Sequence, residues 1–302
     1  MKDANPNGDP DEGNRPRMDS DGYNVVTDVR LKRTIRDYWI STYQGETGKD
    51  VLVRRVEKSE DSGIMSMGDL IKQALKLEEG YEKNARKVIS RITSDVPKTF
   101  ADVRFFGAAI TLKKANVSMV GPVQFGIGRS LNKPTIKTYS ITTTFAAGDD
   151  KQQGTFGETN VVDYSLISFG GIISESAARD TGLSDNDLPL LWDGLWLGTK
   201  NLNTRSKFNH SPRLLLSVVS KESEFQIGGL YRLLSMSADE PKDVSDASVE
   251  VDRLVERLLE FKDSIERIEI KEDTMLSFMY NGERSQSLSA ILSDAGFNIE
   301  EI

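Results

Sequence analysis

Polar and charged residues suited to binding a ligand are concentrated between positions 5 and 36. The stretch opens with a loop rich in Asn, Asp, Gly and Pro and continues into a basic segment. Such residues form tight turns, so we expect the loop to hold a defined backbone shape. A shaped polar loop beside cations suits a phosphate backbone, although solvated surface charge is the alternative. The cations are Arg30, Lys32, Arg33 and Arg36.

The carboxylates of this loop permit a second kind of chemistry. Asp9 and Asp11 could in principle hold a divalent metal ion. Together with Asn5 and Asn7 they alternate as in a calcium loop, but Pro10 occupies the place of the EF-hand glycine. Turns stabilised by Asx side chains explain the loop better. We therefore predict no metal and no cofactor.

Composition disfavours several classes of enzyme. The 302 residues include no cysteine and a single histidine, His210, which leaves little material for thiol, zinc or histidine-dependent catalysis. A small-molecule enzyme is therefore disfavoured. The polar first residues and the lack of a long apolar run predict a cytoplasmic protein without a membrane partner.

The charge is distributed unevenly. The chain has a formal net charge of −8, which by itself argues against a nucleic-acid binder. Residues 222–302, however, hold 19 acidic and 8 basic residues, whereas residues 1–221 hold 28 acidic and 31 basic residues. A mildly basic body could present cations locally to phosphate, and ordinary solvated faces are the alternative.

Local patterns predict the elements that position these groups. Thr27 or Asp28 is expected to cap a helix that ends near Gly45 and keeps its cations on the outer face. The predicted apolar face of this helix is Leu31, Ile35, Tyr38 and Thr42. The other predicted helices are two within 51–98, one from 188 and those at 249–261 and 287–295. The predicted strands are Val103 with Phe105, 108–112, 117–125, 214–219, 227–234, 265–270 and 275–280.

Three later segments could contact a phosphate backbone or stacked bases. GPVQFGIGRSLN (121–132) has glycines that allow close backbone approach, but it is neither a P-loop nor GxGxxG, and a bulged strand is the alternative. Residues 134–173 predict a long hairpin whose tip is bracketed by Phe145 and Phe156, suited to base stacking or to a cross-strand aromatic pair. Residues 200–213 mix basic, amide and aromatic side chains, as phosphate and base contacts require.

Five motifs in this order resemble one family. They are NPNGDPDEGNRPRMD with TDVRLKRTIRDY, ADVRFFGAAI, GPVQFGIGRSLN and LWDGLWLGTKNLNTRSK. The chain resembles the backbone subunit of type I CRISPR effector complexes (Cascade), most closely the type I-B branch. The similarity runs from about residue 2 to at least residue 220.

The resemblance implies an α+β fold with a ferredoxin-like (RRM-like) palm, helical insertions and a protruding β-hairpin thumb. Residues 1–302 would form one palm domain, with a helical insertion at 46–99 and the thumb at 134–173. It also implies a non-catalytic scaffold for antiviral defence that polymerises along CRISPR RNA as a helical filament. The implied partners are CRISPR RNA, other copies of the chain, other Cascade subunits and target DNA paired with the guide.

The resemblance further implies which residues contact RNA. The contacts should go to phosphate and sugar, because any guide sequence must bind. The aromatic pair on the hairpin would displace bases at regular intervals. The implied RNA-binding residues are Asn5, Asn7, Thr27, Lys32, Arg33, Arg36, Gln124, Arg129, Phe145, Phe156, Arg205 and Lys207.

One feature departs from the family pattern. Members carry an apolar strand directly before the asparagine loop, whereas this chain has Met1-Lys2-Asp3-Ala4 there, and the strand is expected to be absent. The competing function is that of a type III backbone subunit, in which Asp9 or Asp11 would cut target RNA with a metal ion.

Overall fold

The computed structural model describes residues 1–58, 63–142, 156–238 and 240–302. The chain divides into two compact units. The first unit contains Met1–Leu31, Gly126–Gly170 and Thr199–Ile302, and the second contains Lys32–Phe125 and Gly171–Gly198.

Helices and strands alternate irregularly along the described residues. The α-helices are α1 (Asp28–Tyr43), α2 (Met67–Ala74), α3 (Ala85–Thr99), α4 (Ala101–Phe106), α5 (Glu175–Thr181), α6 (Leu188–Lys200), α7 (Asp252–Glu260) and α8 (Leu288–Asp294). The 3-10 turns are Pro10–Glu12, Tyr81–Asn84, Asp185–Asp187, Leu230–Leu233, Val244–Asp246 and Lys262–Ser264. The strands before the second half of the chain are β1 (Lys2–Ala4), β2 (Gly8–Asp9), β3 (Arg15–Pro16), β4 (Val25–Val26), β5 (Gly107–Leu112), β6 (Ala115–Val120), β7 (Val123–Phe125), β8 (Gly128–Ser130) and β9 (Ile136–Thr142). The remaining strands are β10 (Phe156–Tyr164), β11 (Ile167–Ser168), β12 (Gly171–Ile173), β13 (Leu214–Ser220), β14 (Ser235–Met236), β15 (Val249–Glu250), β16 (Ile265–Glu272), β17 (Phe278–Tyr280), β18 (Glu283–Ser285) and β19 (Ile299–Glu301).

The first unit is built from small sheets. Their strand orders are β1-β10-β9, β11-β8-β4, β2-β3, β13-β16-β19 and β14-β15-β17-β18. Neighbouring strands are antiparallel except in the β15–β17 and β16–β19 pairs, which are parallel. Strands β15 to β17 and helices α7 and α8 enclose an apolar core that includes Leu254, Leu258, Ile268, Phe278 and Leu292. This core occupies the acidic C-terminal region, where Glu269 is buried and the other described charged side chains are exposed or partly buried.

The second unit combines helices with two short two-stranded sheets, β5-β6 and β12-β7. Its core packs α2 and α3 against β5 and β6 through residues such as Ile71, Ile92 and Ile110. Elsewhere in this unit the ring of Trp39 on α1 is fully buried and donates its Nε1 hydrogen to the Leu190 carbonyl at 3.0 Å.

Several predicted elements are confirmed. Thr27 precedes α1 and its Oγ1 accepts a hydrogen bond from the Arg30 amide at 3.3 Å, as a helix cap does. The two helices within 51–98 are α2 and α3. Strands β9 and β10 pair antiparallel as the predicted hairpin requires, but the end of its predicted return strand is wrong, because residues 167–168 pair with β8 and residues 171–173 pair with β7. The helix predicted from 188 is α6, which begins after a capping box formed by Ser184 and Asp187. The strand predictions at 214–219 and 265–270 and the helix at 287–295 correspond to β13, β16 and α8.

The prediction of a strand at Val103 and Phe105 is wrong, because these residues belong to helix α4. All six residues of α4 are buried. A short element that is buried on every side has no polar face, so periodicity cannot distinguish a helix from a strand there.

Two predictions in the C-terminal region also need correction. Half of the predicted strand 227–234 is a 3-10 turn at Leu230–Leu233, preceded by Gly229 at φ 76°. A positive φ suits glycine and interrupts an extended strand. The predicted helix 249–261 begins only at Asp252, because Val249–Glu250 forms β15 between β14 and β17.

The expectation that no strand precedes the asparagine loop is wrong. Lys2–Ala4 forms β1 and pairs antiparallel with β10, with Lys2 opposite Tyr164 and Ala4 opposite Val162. Ala4 is fully buried, whereas the two residues before it are exposed and ion-paired. The strand therefore lacks the apolar run by which a strand is recognised in a sequence.

Candidate nucleic-acid interface

In the first unit, Asn5 holds two loops together. Its side chain is 1% exposed and donates from Nδ2 to the carbonyl of Asn14 at 2.6 Å. Its backbone amide donates to the carbonyl of Ser206 at 2.6 Å. Asn5 thus shapes the surface around it and fixes the loop that contains Arg205 and Lys207.

Asn7 and Thr27 form a second support. Asn7 Oδ1 accepts hydrogen bonds from the Thr27 amide at 2.9 Å and from its hydroxyl at 3.0 Å. Thr27 in turn caps α1 through the Arg30 amide. The side chain of Asn7 therefore fixes the first turn of α1, where Arg30 lies.

The carboxylate of Asp9 has partners within the protein. Asp9 forms an ion pair with Arg17 at 2.8 Å and accepts a hydrogen bond from the Asp11 amide at 3.1 Å. This bond is the Asx turn expected for the loop. Across the part of the chain that the structure describes, no group of three His, Asp or Glu side chains is placed to hold a metal ion.

Arg129, on β8, is held by two carboxylates. Its guanidinium lies 2.6 Å from Asp19 and 3.2 Å from Asp21, and its Cζ lies 3.8 Å from the centroid of the Tyr23 ring. The hydrogen bond to Asp19 raises the pKa of Arg129. Burial alone would raise the pKa of Asp19, but hydrogen bonds from the Tyr23 amide and from Arg129 lower it below its ordinary value. An RNA phosphate near Arg129 would compete with these carboxylates.

The predicted cations of the 203–209 loop differ in their surroundings. Arg205 is exposed, whereas Lys207 is half-buried. Burial lowers the pKa of Lys207, and the positive charge of Arg30 acts in the same direction. His210, which is 6% exposed, has its pKa lowered to about 4 by burial first, with additional effects of the amino terminus, Lys207 and Arg30. His210 is therefore neutral at neutral pH.

In the second unit, Lys32 and Gln124 contact each other. Lys32 Nζ donates to Gln124 Oε1 at 3.2 Å, and Gln124 Nε2 donates to the Gly121 carbonyl at 2.9 Å. Arg33 is exposed and pairs with Asp37 one helical turn later at 2.7 Å. These are exposed surface contacts, which contribute little to stability and can be replaced by contacts to an added ligand.

Arg36 belongs to a different environment from its neighbours. Its guanidinium donates to Asp102 at 2.9 Å, and its side chain is only 13% exposed. Asp102 is fully buried and also accepts hydrogen bonds from the amides of Leu52 and Val53. Arg36 thus ties α1 to α4 within the second unit.

Two of the three glycines of 121–132, Gly121 and Gly128, are required for internal packing. A Cβ on Gly121 would lie 2.0 Å from the Phe106 carbonyl carbon, and one on Gly128 would lie 2.5 Å from the Phe169 ring. The close approaches expected there are therefore approaches to the protein itself.

Two of the side chains predicted to contact RNA lie outside the part of the chain that the structure describes. Phe145 and the side chain of Phe156 lie outside the described residues, whereas the backbone of Phe156 pairs with Thr142. Arg30 and Phe208, whose ring is 67% exposed, were singled out in the basic segments but were not among the residues expected to contact RNA. Their positions within basic segments were the available signal.

Comparisons with known proteins agree on one family. Residues 1–252 match the family model described as CRISPR-associated protein Cas7. A Haloferax volcanii protein named CRISPR-associated protein Cas7 is 30% identical over 331 aligned residues, which cover 100% of this chain and 93% of that protein.

Solved structures show a similar fold at low identity. A chain of a "CRISPR RNA-guided surveillance complex, pre-nicking" has a TM-score of 0.53 at 14% identity, covering 97% of this chain and 96% of that one. A chain of a "CRISPR RNA-guided surveillance complex" has a TM-score of 0.50 at 13% identity, covering 97% and 95%. Among the described residues, no helix has the length and apolar character needed to cross a membrane.

Proposed function

Because the chain belongs to the CRISPR-associated Cas7 family, we propose that it is a non-catalytic scaffold that polymerises along CRISPR RNA in a type I Cascade complex. It would hold the guide for pairing with target DNA in antiviral defence, together with other subunits in the cytoplasm. The family match carries this proposal, since residues 1–252 include every position predicted to contact RNA.

The electrostatics support a phosphate-directed contact. Arg205 and Arg33 are exposed, and Lys32 and Gln124 form an exposed hydrogen-bonded pair. Cations that contact phosphate bind all guide sequences alike. Asn5, Asn7 and Thr27 would act as positioning residues, because Asn5 Nδ2, Asn7 Oδ1 and the Thr27 hydroxyl are hydrogen-bonded within the protein.

The finer architecture is part of the proposal. We assign a ferredoxin-like palm, a helical insertion at 46–99 and a thumb at 134–173, and we place the protein in the type I-B branch. Helices α2 and α3 support the insertion, and the β9–β10 pair supports the thumb. Phe145 and Phe156 would displace bases at regular intervals along the RNA.

Purification provides the first test. Protein expressed with a CRISPR array is expected to carry nuclease-sensitive RNA, and chemical probing should reveal exposed bases at a regular interval. Phe145→Ala and Phe156→Ala should weaken this pattern while the fold, followed by circular dichroism, stays unchanged. An unaltered pattern in both variants would remove these residues from the mechanism, and protein free of RNA would refute the scaffold.

A second assay tests for catalysis. The assembled complex is incubated with complementary RNA and magnesium. We expect no cleavage, because the complex only holds the guide. Periodic cuts that disappear in Asp9→Ala or Asp11→Ala would instead establish a metal-dependent nuclease.

A further inference from the structure

We propose that Lys242 and Asp163 fix the angle at which the β9–β10 hairpin leaves the first unit. Lys242 is thereby a positioning residue for the thumb, and it acts through the carboxylate of Asp163. The inference rests on the proposed scaffold function, because a thumb must reach a defined point along the RNA.

The hairpin has a buried base and an exposed outer part. Residues 160–165 are buried, whereas residues 137–140 and 157–158 are exposed. Strand β1 pairs with β10 at the base, where Ala4 lies opposite Val162. Farther out, in the described residues, β10 pairs with β9 alone. The outer part is therefore a two-stranded ribbon, and its direction is determined at the base.

The two strands are joined to each other at the base. The Asp163 amide donates to the Thr135 carbonyl at 3.0 Å, and the Thr135 amide donates to Asp163 Oδ1 at 2.9 Å. Asn132 Nδ2 donates to the Tyr164 carbonyl at 3.0 Å, and Asn132 Oδ1 accepts a hydrogen bond from the Leu166 amide at 3.1 Å. A tilt of the hairpin would therefore move both strands together.

A neighbouring segment supplies the cation that holds Asp163. Lys242 Nζ donates to Asp163 Oδ2 at 2.9 Å, and the Asp163 side chain is only 7% exposed. The Lys242 amide donates to Asp246 at 2.9 Å, and Val244 is buried in the apolar core, so the segment itself is anchored. Burial alone would raise the pKa of Asp163, but hydrogen bonds from Lys242 and from two backbone amides lower it below its ordinary value. A charged carboxylate at the hairpin base is thus tied to the core of the first unit.

Another ion pair on the same hairpin provides the comparison. Lys137, on β9, lies 3.1 Å from Asp3, and the two side chains are 44% and 49% exposed. Such exposed pairs contribute little, whereas removing one partner of a buried pair leaves a buried charge without compensation. We therefore expect Lys242 to control the direction of the hairpin and Lys137 to have little influence on it.

A small change at the base becomes a large displacement farther out. Strand β9, Ile136–Thr142, is about 20 Å long at about 3.4 Å per residue. A tilt of about 10° at its base would displace Thr142 by about 3–4 Å. This displacement is comparable with the rise of about 3.4 Å per nucleotide in a stacked strand. The link through Lys242 therefore bears on which nucleotide the hairpin reaches.

Spin labels measure the direction of the hairpin without RNA. The chain has no cysteine, so Ser140→Cys on the exposed part of β9 and Met275→Cys on an exposed surface of the same unit give two specific sites. Double electron–electron resonance should give a narrow distance distribution in this background. Lys242→Ala should broaden or shift the distribution by at least about 3 Å. Lys242→Arg should keep it narrow, and Lys137→Ala should leave it unchanged.

Lys242→Gln guards against misfolding, because it keeps a long polar side chain while removing the charge. Circular dichroism establishes that each variant is folded. The distribution should change in Lys242→Gln as it does in Lys242→Ala. An unchanged distribution in a folded Lys242 variant, or an equal change in Lys137→Ala, would overturn the inference.

Chemical probing of bound RNA tests the consequence for the thumb. In Lys242→Ala the exposed bases should lose their regular interval, while the dependence of RNA affinity on salt concentration stays as in the wild type. A salt slope reduced by about 0.7 would mean that Lys242 contacts a phosphate directly, which would contradict a positioning role. If the wild-type protein shows no regular interval, the proposed function fails, whereas the spin-label distances still decide how the hairpin is held.

Discussion

Arg36 and Asp102 form an ion pair of 2.9 Å in which the carboxylate is fully buried. The pair links α1 to α4, and the guanidinium also lies 5.1 Å from the centroid of the Phe106 ring. This arrangement separates Arg36 from Lys32 and Arg33, which precede it on the same helix. The basic side of α1 thus contains two kinds of cation, one structural and one exposed.

Removing either partner of this pair should destabilise the fold. Asp102→Ala leaves Arg36 and two backbone amides without their acceptor, and we expect the free energy of unfolding to fall by about 3–5 kcal/mol. Urea denaturation measures this loss. Arg33→Ala is the matched control, because its exposed pair with Asp37 is worth no more than about 1 kcal/mol. Equal losses in the two variants would contradict the structural role of Arg36.

The difference between Arg36 and its two exposed neighbours decides which variants should be used to test RNA binding. Arg36→Ala would confound a lost contact with a lost ion pair. Lys32→Ala combined with Arg33→Ala should instead weaken RNA binding for all sequences alike, with little change in stability. The logarithm of the binding constant should also fall less steeply with the logarithm of salt concentration. Binding titrations at several salt concentrations decide this, and an unchanged slope would remove α1 from the RNA surface.

RNA affinity should depend on the protonation of Lys207. Its pKa is lowered by burial and then by Arg30, so the ammonium loses its proton below the ordinary value of 10.5. RNA favours the protonated form, and affinity should fall as pH rises through the lowered pKa. Lys207→Arg should remove the fall, because arginine stays charged. Without RNA the sign reverses: the unfolded chain holds this proton more tightly, so stability should increase with pH in the same window.

Neutralising the carboxylates around Arg129 should strengthen RNA binding. Asp19→Asn removes the 2.6 Å partner of the guanidinium and one negative charge, and we expect affinity to rise by about 2- to 5-fold at low salt. Glu260→Gln, which breaks the exposed pair with Arg257, is the control and should have no effect. A weaker complex for Asp19→Asn would mean that Asp19 orients Arg129 for RNA.

Gly194 is required for packing rather than for flexibility. A Cβ there would lie 2.7 Å from Ile35 Cγ2 and 3.0 Å from Trp39 Nε1. Although alanine is the better helix former by about 1 kcal/mol, we expect Gly194→Ala to lower stability by about 1–2 kcal/mol. Gly228→Ala, which meets no atom within 4 Å, should change it by less than about 1 kcal/mol. Thermal unfolding of both variants compares the two sites.

Local features of this chain could be predicted because they depend on neighbours in the sequence. The Thr27 cap, the Ser184 capping box and the β9–β10 pairing are of this kind. Helix α4 could not be predicted, because burial on all sides removes its periodicity.

Ion-pair partners that are far apart in the sequence also could not be predicted. Arg129 meets Asp19 across 110 positions and Arg36 meets Asp102 across 66. No spacing rule links such residues, so the sequence indicated cations without their counter-charges. The identity of the basic segments could therefore be predicted, but not which cations are available to a ligand.

The hydrogen bond from the Asn5 amide to the Ser206 carbonyl determines when the asparagine loop can fold during translation. The loop that begins at Asn5 cannot gain this anchor until Ser206 has left the ribosome, and β1 must likewise wait for β10. Contacts this distant in sequence form late. Protease digestion of ribosome-bound chains stopped before Ser206 should therefore cut within residues 5–27, whereas full-length chains should resist. Under the proposed function, RNA would be bound only by chains whose synthesis has passed Ser206, so incomplete chains would not compete for the guide.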